Sequence, residues 1–166
     1  KPKFRFLSSN LQFLKQHRLQ EQIAKSTIVE RNGERTGLVG VSPLDYGDLT
    51  FLTPFIKVAN LDDTVNAVRN EVRVLEKQGI NKIVLLAHTG KASKNGEEYY
   101  QRLADVGGVD VIVGGHDHLE FDRWLVSKRG EPVKVVSVGK ADDKDIVGED
   151  LDSFGVLQAY FDKNGI

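Results

Sequence analysis

Between Asn60 and Gly79 the chain reads NLDDTVNAVRNEVRVLEKQG, and Leu61, Val65, Val68, Val72 and Leu75 return at spacings of four and three. That period gathers them into one apolar stripe and predicts an amphipathic helix. Asp62 and Asp63 suit its positive N-terminal end, Lys77 suits the other end, and Gly79 stands where a C-terminal stop is needed. The period then changes. INKIVLLAHTG (80–90) holds a continuous apolar run from Ile83 to Leu86, which predicts a strand buried on both faces. KNGEEYYQRLADVGG (94–108) predicts a shorter second helix, and VDVIVGG (109–115) another apolar strand. Helix, strand, helix, strand is the rhythm of βαβ units in a parallel sheet.

The flanks alternate more. FRFLSSN (4–10) begins as a strand and ends in a Ser-Ser-Asn turn, while residues 11–25 carry no clean period. Two β-rich runs flank Asn32-Gly33, a strong hairpin signal, and predict strands near 27–31 and 35–41. PVKVVSVG (132–139) and FGVLQAYFDKNG (154–165) read as antiparallel or edge strands, and the polar stretch 140–153 between them reads as a loop. The fold class expected is α/β, a mixed sheet with βαβ units.

Composition changes this picture little. The 166 residues suffice for one domain with a core, and 23 basic against 24 acidic residues offer no basic excess for a nucleic-acid polymer. No apolar run approaches the roughly 20 residues of a membrane span. Without cysteine there are neither disulfides nor thiolate metal sites. The chain starts at Lys1 and contains no methionine, which reads as an excerpt of a longer protein.

The chemistry concentrates in histidine. His88 follows the strand KIVLLA, and His116 and His118 follow VDVIVGG. If these strands are parallel neighbours, the imidazoles emerge at the same end of the sheet, where open α/β sheets bind their ligands. Three neutral imidazoles there suit a transition-metal site, and Gly114 and Gly115 allow close backbone approach. A single histidine after a strand is ordinarily a surface or hydrogen-bonded residue. The paired occurrence, with G-G-H-x-H on the second strand, is more specific. His17 lacks such context and reads as a surface residue. Asp117 reads as a solvent-facing carboxylate that could instead orient an imidazole. The acidic pairs Asp62-Asp63, Glu97-Glu98 and Asp142-Asp143 read as helix-start or loop charges, and Phe121 and Trp124 as core residues that could instead floor a pocket. Phosphate-loop, H-E-x-x-H and G-x-S-x-G patterns are absent from the chain.

LLAHTG followed by VDVIVGGHDH resembles the C-terminal half of the calcineurin-like metallophosphoesterases, and most closely the 5′-nucleotidase family, which includes UDP-sugar hydrolases and cyclic-nucleotide phosphodiesterases. FLSSNLQF, RTGLVGVSPLD, VVSVGKADD and FGVLQAYFDKNG resemble other strands of that domain, so the likeness covers nearly all of residues 1–166. It implies part of a four-layer αββα sandwich and two divalent metal ions (Mn, Zn, Fe or Co). It implies that His88 and His116 hold one ion and His118 the other, that the substrate is a nucleotide or other phosphate ester, and a periplasmic or extracellular location. The family's D-x-H, G-D-x-x-D and G-N-H-[DE] motifs are not in this chain, nor is the substrate domain that follows. Asn10 is not the ligand asparagine, since no histidine follows it. Two readings result: part of a two-metal phosphoesterase, inactive alone, or a truncated, catalytically inactive metal-binding or interaction module. Amidohydrolases also use H-x-H, but their barrel needs about 250 residues. An isolated half-sandwich should expose an apolar sheet face, calling for the missing N-terminal half or self-association.

Overall fold

Six strands make the central sheet of the computed structural model, which describes residues 4–16, 18–44, 55–89, 96–116, 120–138 and 155–161. Ahead of it lie β1 (Phe6–Leu7), β2 (Leu11–Phe13), a 3-10 turn (Arg18–Glu21) and β3 (Ile23–Ala24). Then come β4 (Ser26–Arg31), β5 (Glu34–Val41), β6 (Ile56–Val58), α1 (Leu61–Glu76), β7 (Ile83–His88), α2 (Gly96–Ala104), β8 (Val111–Gly115), β9 (Glu120–Val126) and β10 (Pro132–Val138). The sheet order is β4-β5-β7-β8-β10-β9. β5, β7, β8 and β10 run parallel, and β4 and β9 close the two edges antiparallel. Two small pairs, β1 with β3 and β2 with β6, stand beside it.

The expected hairpin joins β4 to β5, with Asn32 and Gly33 both left-handed at φ 53° and 81°. Those two positive angles match the right-handed twist of the flanking strands. Asn60 caps α1 by accepting from the Asp63 N–H at 2.9 Å. The far end closes as a Schellman pairing: Gly79, at φ 77°, donates to the Glu76 carbonyl at 2.9 Å, and Ile80 donates to Leu75 at 3.1 Å. The stripe Val65, Val68, Val72 and Leu75 is buried against Val39, Ile83, Leu85, Ile112, Val133 and Val135. Each such side chain contributes about 1.5–3 kcal/mol by leaving water.

Four expectations need correction. β7 is buried on one face rather than two: Ile83, Leu85 and Ala87 are covered, whereas Leu86 is 39% exposed, and beside it Val113 of β8 is 37% exposed. Both helices pack on the same side, so an apolar run long enough for two covered faces has only one among the described residues. β10 is internal, parallel to β8 and antiparallel to β9, and the edge falls to β9, a strand whose polar alternation hid it. On that edge Trp124 is 63% exposed, with the Lys134 ammonium 4.9 Å from its ring centre, while Phe121 does pack on the core. Residues 155–161 form no strand among the described residues, and the predicted loop 140–153 lies outside them.

Candidate metal centre

β7 and β8 are parallel neighbours with His88 opposite Gly115. Strand alternation sends His88 to the face away from the helices, along with Leu86. Its ring lies over Gly115: a Cβ there would come within 3.0 Å of His88 Nδ1. His116, the next residue, would alternate to the helix side. It does not, because its φ is +80°, a left-handed conformation that a histidine rarely adopts. The turn carries its ring back to His88, so that Nδ1 of His116 lies 3.2 Å from Nε2 of His88, with the rings perpendicular and their centres 5.0 Å apart. His88 is exposed and His116 half-buried. His118, Asp117 and His17 lie outside the described residues.

The donor set admits a metal ion. Two imidazole nitrogens bound to one ion at about 2.1 Å stand roughly 3.0–3.4 Å apart, for angles between a right angle and tetrahedral. The observed separation falls inside that range, and it equally suits a hydrogen bond between a protonated and an unprotonated nitrogen. Among the described residues no third histidine, aspartate or glutamate joins the pair. Beside it opens a hollow of about 430 Å³, lined by Leu7, Val41, Ser42, Pro43, His88 and Gly114. Ser42 and Pro43 carried no signal in the sequence; the pairing of β5 with β7 brings them here.

Asn10 is excluded from the site by its own bonds. It is 1% exposed; its Oδ1 accepts from Ser42 N at 2.8 Å and Ser8 Oγ at 3.1 Å, and its Nδ2 donates to the Ser42 carbonyl at 2.9 Å and Thr64 Oγ1 at 3.3 Å. With its bonding capacity consumed, it ties the β1 turn to β5 and α1.

A larger cavity, about 910 Å³, lies at the opposite ends of the same strands, with Asp110, Glu131, Trp124 and Tyr160 in its wall. Asp110 Oδ2 accepts from the Ile83 N–H at 2.6 Å. Burial pushes its pKa up to about 6 against the lowering effect of that bond, and the Glu131 charge adds to the rise. We place the candidate centre at the smaller hollow, because the imidazoles are there and an acidic cleft without them has no comparable donor set.

No protein-family model matches the chain. A probable 5′-nucleotidase of Treponema pallidum is 32% identical over 157 residues, covering 85% of this chain and 24% of that protein. The 5′-nucleotidase of Mus musculus is 29% identical over 165 residues, 95% of this chain and 25% of its own length. The crystal structure of a 5′-nucleotidase precursor from Thermus thermophilus superposes with a TM-score of 0.69 at 28% identity, over 81% of this chain and 28% of that one. The chain thus spans about a quarter of the length of these relatives.

Proposed function

This chain belongs to the 5′-nucleotidase family of metallophosphoesterases, and from that premise we propose that His88 and His116 are ligands of one divalent ion in a two-metal phosphoesterase site, with His118 serving the second. The observation that carries the reading is the convergence of His88 Nε2 and His116 Nδ1 to 3.2 Å at the carboxyl ends of adjacent parallel strands. Two such ions, when bound, clamp phosphoryl oxygens and lower the pKa of water. The chain's own share is positional. β7 and β8 present two neutral nitrogens from a rigid sheet, Gly115 gives the His88 ring its room, and the hollow beside them receives the ester.

Neutral imidazoles bring no negative charge to hold two dications together. The bridging and charged ligands are supplied by segments other than those described, and the chain alone binds metal weakly and hydrolyses little or nothing. The exposed face carrying Leu86 and Val113 is the surface on which the second sheet of the sandwich packs. Nucleotides or related phosphate esters are the substrate class, and the periplasm or cell exterior the location. No helix among the described residues is long and apolar enough to cross a membrane.

Calorimetric titration of Zn²⁺ or Mn²⁺ into the chain, beside a chromogenic phosphodiester assay, tests the proposal. We expect weak binding that His88→Ala and His116→Ala each reduce at least tenfold, with no measurable turnover. Metal affinity unchanged in the double variant would sink the assignment.

A further inference from the structure

Gly114 and Gly115 sit side by side in β8, yet they make room for different things. Gly115 faces His88. Gly114 faces the other way, toward the helices, where a Cβ would lie 2.5 Å from Tyr100 Oη and 3.0 Å from both Tyr100 Cζ and Phe121 Cζ. Tyr100 is 1% exposed on α2, and its ring stands edge-on to Phe121 of β9, centres 5.3 Å apart. The Arg123 guanidinium lies 5.0 Å from the Phe121 ring centre and 5.9 Å from that of Tyr100, backing the pair. A rigid aromatic wedge therefore presses on bare backbone two residues before His116, which holds its strained φ of +80°. Such strain persists only where the surroundings hold it in place.

We infer that Tyr100 is a positioning residue for His116. The rim of its ring, seated with Phe121 on Gly114, sets the path of β8 into the left-handed turn that brings the His116 imidazole to His88. The link to catalysis rests on the metal reading above; the positioning itself does not.

The test uses the whole chain and reads the imidazole pair directly. Metal-free NMR follows the through-space contact between the His88 and His116 ring protons, and zinc titration follows affinity. Tyr100→Leu keeps an apolar side chain but withdraws the rim from Gly114. It should abolish the ring contact and lower zinc affinity about tenfold, as loss of a group that orients a ligand does. Tyr100→Phe, which keeps the ring, should retain most of both. Leu103→Ala hollows the same helix's core face but is not among the atoms abutting Gly114, and it should leave the contact in place. Equal loosening by Leu103→Ala, or an unchanged contact in Tyr100→Leu, overturns the inference. Should Tyr100→Leu fail to fold, Gly114→Ala decides. It should break the contact beside Tyr100 and regain it beside Phe, where the 2.5 Å neighbour is gone; no recovery overturns the inference. If zinc never binds but the contact still depends on Tyr100, the metal reading fails and the positioning role stands.

Discussion

At the carboxyl ends of β7 and β8 two imidazoles meet, the exposed His88 at its strand's end and the half-buried His116 on a strained turn, whereas at the amino ends of the same strands carboxylates are tied to the backbone. There Asp110 accepts from Ile83 N and gives its own N–H to the Ile83 carbonyl at 3.0 Å, while Glu131 Oε2 accepts from the Gly108 N–H at 3.1 Å. The acidic end has the larger cavity but spends its carboxylates on joining strands and turns. The histidine end has the smaller hollow and leaves nitrogen atoms facing one another. Strain marks the second end and not the first: His116 and Asn32 are the two non-glycine residues with positive φ among the described residues, and Asn32 sits in a hairpin that calls for it. Cavity size points to the acidic end of the sheet; donor chemistry and backbone strain point to the other, where the proposed centre lies.

His116→Gly attacks this contrast hardest. Glycine adopts φ +80° without penalty, so the variant should be up to about 1 kcal/mol more stable by denaturant unfolding, offset in part by the lost contact to His88. Zinc binding should fall by roughly 100-fold, the upper range for losing a metal-site group. A variant both less stable and equally able to bind zinc would remove strain from the account of this turn. Gly115→Ala is gentler. Its methyl would meet His88 Nδ1 at 3.0 Å, forcing the ring to give way, and zinc affinity should drop about tenfold while the melting temperature barely moves. Unaltered affinity there would mean that the His88 ring does not need the room.

The smallest effect belongs to the acidic end. Asp110 titrates in the fold near 6 rather than at its ordinary 3.8, so the folded state favours its protonated form. Its favourable contribution is complete below pH 4 and is lost as pH rises through about 6. Asp110→Asn keeps an oxygen for the Ile83 N–H and removes the charge. Water still reaches this half-buried group and screens the penalty, so the variant should gain about 1 kcal/mol above pH 6 and nothing below pH 4. Parallel unfolding curves at pH 3.5 and pH 7.5 read this directly; a gain at the lower pH, or a loss at the higher, contradicts it. Zinc affinity should not change.

Much of this fold was legible because its signals are local. The stripe from Leu61 to Leu75, the Asn32-Gly33 turn and the glycine stop at Gly79 each lie within one element, and each formed as its pattern required. What escaped depended on partners. β2, β3 and β6 are two or three residues long, too short for a period, and exist through pairing. β9 reads as polar because Glu120 and Asp122, at its outer positions, face solvent at an edge, where Trp124 is exposed as well. The run Ile83–Leu86 announced a strand but could not announce how many faces would be covered.

The order of residues alone decided that two histidines would end two consecutive strands, and that glycines would precede the second. Covalent sequence settles which atoms sit at the end of an element, because the element's length and direction are local properties. Only the tertiary structure decided that His116 would turn against the strand's alternation to meet His88, that Gly114 and Gly115 would serve opposite faces, and that Tyr100, from a separate helix, would press on the turn. Those outcomes arise from close packing across the sheet, where a missing Cβ on one strand is filled by a ring from another, and no local pattern encodes that.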